Sequence, residues 1–294
     1  MHLLPTPLRQ QVESALGHQI TRSVLASGGC INNGARLDTR AGGSFFLKWN
    51  DAAPLEMFEA EADGLEALRR ACTVRVPEPL DRGGGDGTSP WLLLEYVGSG
   101  APAADYPERL GASLAELHQA ELGPPFGWGR DNWIGSLAQA NEERGDWGDF
   151  WRDLRIVPQL QLARSRGFLS GDTMDRLVDV IPDALADVER GGLLHGDLWS
   201  GNAYATVDGD PVIIDPAVFR GDGEVDLAMT ELFGGFGRRF YEAYNAARPI
   251  SREYEVFRRD LYQLYYLLVH VNLFGASYEG GSLAAASRVL NAFG

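Results

Sequence analysis

The stretch LLHGDLWSGNAYATVDGDPVIIDP, residues 193–216, decides the fold class of this chain. It contains Asp197, Asn202 five residues later, and Asp215 at the end of a strand–turn–strand pattern. Kinase-type phosphoryl transfer needs such a set, because one carboxylate takes the proton of an attacking hydroxyl while an amide and a second carboxylate hold Mg²⁺ at the phosphates of ATP. We therefore predict Asp197 as the base and Asn202 and Asp215 as the metal ligands. Singly, each residue could merely cap a turn; the joint spacing favours catalysis.

The residues around this set indicate which kind of kinase is involved. Gly196 stands where eukaryotic-type protein kinases have an Arg that binds a phosphorylated activation loop. Asp215 is followed by Pro216-Ala217 rather than Phe-Gly. Both departures predict a small-molecule kinase whose site is already assembled. His195 is predicted to be structural, because Asp197 already fills the role of the base.

The basic residues point to a second part of the site. Of the 26 basic residues 25 are Arg, and the single Lys is Lys48, in the predicted strand SFFLKW of residues 44–49. An ammonium is a compact charge on a thin stem, whereas guanidinium is a broad planar fork. A lone Lys in an Arg-rich chain therefore indicates a site that Arg would not fit, although chance survival is the alternative.

Lys48 is predicted to reach the α- and β-phosphates of ATP and to pair with Glu61, which lies on a predicted helix over residues 57–71. Glu59 is the competing partner. Glu61 is preferred because the apolar residues that follow it lie on the packing side of the helix, whereas Glu59 tilts toward solvent.

Two further segments are predicted to contact the nucleotide. The turn over residues 27–33 can approach phosphates through backbone N–H groups, although it lacks a GxGxxG pattern. The end of the apolar strand over residues 91–97 would offer backbone groups to adenine. The residues assigned to the nucleotide in these segments are Gly28, Gly29, Cys30, Asn32, Glu95, Tyr96 and Val97.

Composition limits the partners of the protein. The net charge of −15 and the pI near 4.7 repel nucleic acids and anionic membranes. They suit a cationic or neutral second substrate, although a solvated acidic surface is the simpler explanation and the one we favour. The chain shows no membrane-length apolar run and no secretory signal at its N-terminus. Two cysteines, Cys30 and Cys72, fit a reducing compartment, so we predict a cytoplasmic location.

The organisation of the chain predicts an α+β, bilobal protein-kinase-like fold. The N-lobe covers residues 1–97 and the C-lobe residues 98–294, with a Gly/Ala/Pro-rich boundary at 98–107. A leading helix is predicted over 8–20, a turn cluster over 81–90 and a loop over 121–147. The predicted C-lobe helices are 107–119, 148–166, 171–189, 225–233, 237–247, 251–272 and 281–292.

The motifs HGDLWSGN, IDPAVFRGDGEVDLAMTELFGGF and FYEAYN resemble the fructosamine kinase (ketosamine-3-kinase) family, which has the aminoglycoside phosphotransferase-like fold. The resemblance includes GGCINNG, FFLKWN and LLLEYV and covers nearly the whole chain. It implies ATP- and Mg²⁺-dependent phosphorylation of the O3 hydroxyl of ketosamines. The 3-phosphate is a better leaving group, so the adduct decomposes and releases its amine, which is deglycation repair. Carried over, Asp197 is the base, Asn202 and Asp215 are the metal ligands, and Lys48 is the phosphate anchor.

Three positions carry more specific expectations. Trp199 stands where protein kinases have Lys, and its indole is predicted to receive a sugar ring or carbon chain, with packing in the core as the alternative. Cys30 lies in the glycine-rich turn, where relatives also have a cysteine, and could be a redox switch or merely a small side chain in a tight turn. Gly223 replaces a residue that is usually basic in the family, which leaves the sugar preference open. On the helix after the motif, Asp226 is predicted to brace the catalytic loop. The residues predicted to be structural are Tyr262, Tyr265, Tyr266 and His270.

Several alternatives remain at this stage. The acceptor could be a fructosamine, ribulosamine or erythrulosamine, as a small molecule or on a glycated protein, and the chain could be a monomer or a homodimer. An aminoglycoside- or choline-type kinase shares the catalytic set and differs only in the acceptor pocket. A non-catalytic pseudokinase is disfavoured because the base, the metal ligands and the Lys are all present.

Overall fold

The computed structural model describes residues 4–26, 31–85, 87–120 and 122–293. A β-sheet N-lobe precedes a mainly helical C-lobe, which confirms the predicted α+β bilobal class. Within the described ranges, no helix combines the length and the apolar character needed to cross a bilayer.

The N-lobe is built on one antiparallel sheet of five strands in the order β1-β2-β3-β5-β4. The strands are β1 Ile20–Leu25, β2 Asn33–Thr39, β3 Ser44–Trp49, β4 Pro79–Gly85 and β5 Thr88–Glu95. The strand predicted around Lys48 coincides with β3. The predicted turn cluster over 81–90 is wrong for most of its length, because its glycines pair with β5 in the sheet. Cross-strand hydrogen bonds there outweigh the local turn preference of glycine.

Helices cover both faces of this sheet: α1 Thr6–Leu16 and α2 Leu55–Ala71. Side chains alternate along β3, so Leu47 and Trp49 pack in the core under α1, while Lys48 faces the other way, toward α2. The leading helix ends earlier than the predicted residue 20. Gly17 takes a left-handed conformation (φ 67°) that closes α1, and β1 begins at Ile20.

The C-lobe helices agree with the predicted set to within a few residues, apart from an earlier end at 171–189. They are α3 Tyr106–Leu117, α4 Trp147–Trp151, α5 Val157–Ser165, α6 Thr173–Ala184, α7 Glu224–Leu232, α8 Arg238–Ala247, α9 Arg259–Phe274 and α10 Glu279–Phe293. Single π-helical segments, Arg152–Ile156 and Tyr254–Arg258, lead into α5 and α9. The predicted core tyrosines of α9, Tyr262, Tyr265 and Tyr266, are all buried.

Two short antiparallel strand pairs flank the motif residues. β8 Gly192–Leu194 pairs with β11 Phe219–Gly221, and β9 Ala203–Ala205 pairs with β10 Pro211–Ile213, so the predicted strand–turn–strand is confirmed. A further hairpin, β6 Asn132–Ile134 with β7 Leu137–Gln139, lies in the stretch predicted as loop. That prediction is wrong there, because three-residue strands are too short to show an alternating pattern.

Candidate active site

Lys48 of the N-lobe forms the predicted ion pair with Glu61 of α2. Lys48 Nζ lies 2.5 Å from Glu61 Oε1 and 3.1 Å from Asp215 Oδ1. Burial alone would lower the pKa of Lys48, but Asp215 and Glu61 together raise it above its ordinary value. Burial raises the pKa of Glu61, and the nearby lysine only partly opposes this. Glu59, the competing candidate, is half-exposed and contacts Arg130 instead, at 3.3 Å.

Asp215 lies two residues after the end of β10 and takes a left-handed backbone conformation, φ 57°. A residue other than Gly or Asn held there stores strain on the order of 1 kcal/mol, as is common at functional sites. The strained turn brings the carboxylate back to Lys48 while leaving its side chain 46% exposed to the cleft. The Ile214 N–H donates to the Asn202 carbonyl at 2.9 Å, which ties the two predicted metal ligands together.

Asn202 joins the base to this group. Its Nδ2 donates to the Asp197 carbonyl at 2.9 Å and lies 3.4 Å from Asp197 Oδ2. No donor among the described residues reaches Asn202 Oδ1, so that oxygen is available as a ligand. Together with the carboxylate of Asp215 it forms an all-oxygen donor set, which fits Mg²⁺.

The environment of Asp197 gives its carboxylate an unusual proton affinity. Burial raises its pKa well above the ordinary value, the negative charges of Asp215 and Asp226 raise it further, and the hydrogen bond from Asn202 opposes them. A carboxylate with a raised pKa accepts a proton more readily, which suits a general base.

The catalytic loop is braced from behind by Asp226, as predicted. Its Oδ1 accepts the Gly196 N–H and its Oδ2 accepts the His195 N–H, both at 2.8 Å. Gly196 has φ 82°, and a Cβ there would lie 2.1 Å from the Ala217 carbonyl oxygen. The glycine is therefore required by local geometry.

Both ring nitrogens of His195 bond backbone groups, as expected for a structural histidine. Its Nε2 donates to the Ile214 carbonyl at 2.9 Å, and its Nδ1 accepts the Asp197 N–H at 3.2 Å. Burial lowers the pKa of His195, which favours the neutral ring that these two bonds require. The histidine thus links the loop that carries the base to the strand that leads to Asp215.

A residue that the sequence pattern did not reveal completes this brace. His118 is fully buried, and its Nε2 lies 3.0 Å from Asp226 Oδ2 while its Nδ1 lies 2.8 Å from the Tyr244 hydroxyl. Burial would raise the pKa of Asp226, but the bonds from His118 and Gly196 hold it below its ordinary value. Because the partners are far apart in the chain, only three-dimensional proximity identifies them.

The predicted adenine-contacting segment lies at the end of β5. The Glu95 carboxylate pairs with Arg75 at 2.5 Å, and the Arg36 guanidinium lies 4.5 Å from the centre of the Tyr96 ring. The Val97 carbonyl accepts the hydroxyl of Tyr204 at 2.9 Å, a contact that sequence reasoning missed. The Val97 N–H has no acceptor among the described residues. Any role in adenine binding here stays a prediction.

Part of the predicted phosphate-binding turn cannot be placed: Gly28, Gly29 and Cys30 lie outside the described residues, and with them the proposed redox site. Asn32 is described, and its Oδ1 accepts the Asn50 Nδ2 at 3.0 Å. Asn50 also donates to the Ile31 carbonyl at 3.0 Å. The end of the turn is thereby fastened to the chain just after β3.

Comparisons with known proteins show the family of the chain. The fructosamine kinase family model matches residues 6–292. The chain belongs to the fructosamine kinase family. Members of the family are ATP-dependent phosphotransferases that act on a hydroxyl group, and so is this chain.

Individual relatives cover almost the full length. The chain is 44% identical to "Probable ketoamine kinase slr1563" of Synechocystis, over 92% of each chain. It is 40% identical to the chloroplastic protein-ribulosamine 3-kinase of Arabidopsis thaliana, over 90% of this chain and 82% of the relative. The solved structure of a "putative fructosamine-3-kinase" from Thermobifida fusca superposes with a TM-score of 0.84 at 33% identity, over 97% and 98% of the two chains.

Trp199 lies two residues after Asp197, and its side chain is 37% exposed. Its indole lies against Gly201, where a Cβ would come within 2.2 Å of the ring. The ring therefore rests on the catalytic loop at the surface instead of in the core. The indole is therefore partly accessible to solvent, and a substrate contact remains a prediction.

Gly223 immediately precedes α7 and is buried. A Cβ at this position would lie 2.5 Å from His118 Nδ1 and 2.9 Å from an Arg248 nitrogen. The lack of a side chain here thus lets His118 pack behind the catalytic loop. An influence of Gly223 on sugar preference stays a hypothesis.

Proposed function

We propose that this chain phosphorylates the O3 hydroxyl of ketosamines with ATP. One observation carries the proposal: Asn202 bonds the backbone of the half-buried Asp197 and lies in the same cluster as Lys48 and Asp215, and Trp199 is exposed on the same loop. The names of the relatives, a ketoamine kinase and a protein-ribulosamine 3-kinase, support the same acceptor class.

In the proposed reaction Asp197 accepts the proton of the acceptor hydroxyl. The freed oxygen forms a bond to the γ-phosphorus while the bond from that phosphorus to the β-bridging oxygen breaks and ADP departs. Its raised pKa favours proton uptake. Asn202 and His195 hold the loop that carries Asp197, so the carboxylate is already oriented before the substrate arrives.

Asn202 Oδ1 and the Asp215 carboxylate would hold Mg²⁺, which neutralises phosphate charge when it is bound. Lys48 would contact the α- and β-phosphates, with Glu61 fixing its direction. These roles require no movement of α2, because the pair is already formed.

The acceptor side is defined by Trp199, whose open face would receive the sugar or carbon chain. The product, a ketosamine 3-phosphate, carries a better leaving group than the hydroxyl and so decomposes to release the amine. We propose deglycation of small-molecule ketosamines or of glycated proteins as the role. A cytoplasmic location and a monomeric or homodimeric state remain predictions from the sequence.

The proposal is tested by measuring ADP formation with ribulosyl-, erythrulosyl- and fructosyl-lysine, with an aminoglycoside and choline as comparison acceptors. We expect turnover on at least one ketosamine, a phosphate monoester at O3 by ³¹P NMR, and subsequent release of free lysine. Turnover confined to the aminoglycoside or choline would reject the ketosamine assignment and leave the kinase chemistry standing.

A further inference from the structure

The position of helix α2 sets the geometry of the Lys48–Glu61 pair. Glu61 lies in the middle of α2 (Leu55–Ala71) and is almost completely buried against Lys48. In protein kinases the equivalent pair must be assembled by moving this helix, often through a phosphorylated activation loop. Here the pair is already formed, and a contact on the other side of α2 also bears on the position of the helix.

A residue from the C-lobe contacts the opposite side of that helix. Arg130, two residues before β6, bonds Asp63 Oδ2 at 2.5 Å and Glu59 Oε2 at 3.3 Å. Helix positions advance by roughly 100° per residue, so Glu59 and Asp63 share one face while Glu61 points roughly 180° away. Lys48 therefore contacts α2 on the face that carries Glu61, and Arg130 contacts it on the opposite face.

The backbone that carries Arg130 is itself firmly attached to the metal-ligand segment. Asn141 Nδ2 donates to the Arg130 carbonyl at 3.2 Å and to Asn132 Oδ1 at 2.9 Å. Asn132 in turn donates to the Val218 carbonyl at 2.8 Å, three residues after Asp215. These three hydrogen bonds connect the segment that follows Asp215 to the backbone of Arg130, whose guanidinium contacts α2.

Direct packing closes the same unit. A Cβ placed on Gly64 of α2 would lie 3.1 Å from a Val218 methyl group, so the helix backbone approaches this segment closely. α2 also packs against β6, which follows Arg130. A rotation of α2 that turned Glu61 away from Lys48 would therefore also turn Glu59 and Asp63 away from Arg130 and disturb the contact with Val218.

We propose that Arg130 is a positioning residue for phosphoryl transfer: it holds α2 so that Glu61 keeps Lys48 directed at the phosphates. It acts on the phosphotransfer step whatever the acceptor is, and it takes the place of the activation-loop input that protein kinases use. Because Arg130 is about one-third exposed, its ion pairs contribute little to global stability. Its main effect is on the arrangement of the site.

The test compares Arg130→Met with Arg152→Met. Arg152 is a matched control, because it is similarly exposed at 29% and also bonds two carboxylates, but these, Asp149 and Asp153, lie next to it in the chain and not on α2. We expect kcat to fall by about 10- to 100-fold in Arg130→Met, the range expected for a misplaced catalytic group. The KM for the acceptor and the melting temperature should stay near those of the control.

A second readout does not depend on substrate. Lys48 is the only lysine in the chain, so an amine-reactive reagent followed by intact-mass analysis reports on it alone, apart from the N-terminal amine. We expect Lys48 to label faster in Arg130→Met than in the wild type or in Arg152→Met, because a displaced Glu61 no longer holds it. The double variant Arg130→Glu with Asp63→Arg, which restores an ion pair of opposite polarity, should return both the labelling rate and kcat toward wild type.

Labelling and kcat in Arg130→Met that match those of Arg152→Met would overturn the proposal. So would a charge-swapped double variant no better than Arg130→Glu alone. Absence of activity on every ketosamine would instead count against the proposed acceptor, and the labelling comparison would still decide the role of Arg130.

Discussion

The substitution Asp226→Asn is the most informative single change to the brace behind the catalytic loop. The carboxylate is fully buried and receives three donors: the backbone N–H groups of His195 and Gly196, both at 2.8 Å, and His118 Nε2 at 3.0 Å. Asn has the same shape but only one acceptor oxygen. In either orientation its NH₂ group faces a backbone N–H, so at least one buried donor loses its acceptor.

A buried polar group without a partner costs about 1–3 kcal/mol, and bonds to an ionised acceptor lie at the upper end of that range. We therefore expect Asp226→Asn to lose about 2–3 kcal/mol of unfolding free energy and to melt roughly 4 °C or more below the wild type. The displaced Gly196 N–H moves the adjacent Asp197. Turnover should then fall toward the ~10²–10⁴-fold loss expected when a general base is misplaced.

The assay is urea unfolding combined with steady-state kinetics, with Asp222→Asn as the control. Asp222 is also buried and accepts the Glu224 N–H at 3.1 Å and the Tyr262 hydroxyl at 2.8 Å, but it does not contact the catalytic loop. We expect the control to lose stability without a comparable loss of kcat. An Asp226→Asn variant with wild-type stability and wild-type turnover would refute the bracing argument.

Four further predictions follow from the same geometry. Asp197→Asn should keep nucleotide affinity, measured by calorimetry, and lose about 10²–10⁴-fold in kcat; turnover within a few-fold of wild type would remove Asp197 as the base. Lys48→Arg should lower kcat/KM for ATP about 10-fold or more, equivalent to roughly 1.4 kcal/mol, because a planar guanidinium does not fit between Glu61 and Asp215; unchanged kinetics would contradict this. Trp199→Ala should raise the acceptor KM about 10-fold, since an aromatic face contributes on the order of 1.5 kcal/mol, and should leave the KM for ATP unchanged; equal effects on both substrates would favour packing. The last prediction concerns pH. Burial lowers the pKa of His118 in the native state. Below about pH 6.5 the unfolded state therefore binds a proton that the native state does not bind, and the unfolding free energy of the wild type falls. His118→Gln lacks this group, so its stability deficit in urea unfolding should shrink by up to about 1.4 kcal/mol per pH unit below 6.5; a constant deficit would show that His118 does not titrate on unfolding.

Local patterns were sufficient for the predictions that depend on chain neighbours. The strand over residues 44–49 and the helix around Glu61 follow from apolar periodicity, and their pairing follows from the chemistry of a lone lysine. The expected bracing role of Asp226 is also confirmed. In each case, sequence spacing limited the possible partners to a few residues.

The contacts that were missed join residues far apart in the chain. Arg130 meets Asp63 across 67 residues, His118 meets Asp226 across 108, and Tyr204 meets the Val97 carbonyl across 107. No period or spacing marks such pairs, because each depends on how two lobes and several helices pack. Nor could the hairpin that follows Arg130 be predicted, since each of its strands has only three residues.

The enclosed position of Lys48 has a consequence for how the protein withstands its own chemical surroundings. Unprotonated amines attack the carbonyl carbon of reducing sugars, and the lysine side chains on a protein surface are the amines most often modified. This chain has one lysine, which is 6% exposed and held as an ammonium between two carboxylates. Every other basic side chain apart from histidine is an arginine. An enzyme proposed to repair sugar adducts would therefore offer sugars no accessible lysine of its own, and it could keep working in the conditions that create its substrates.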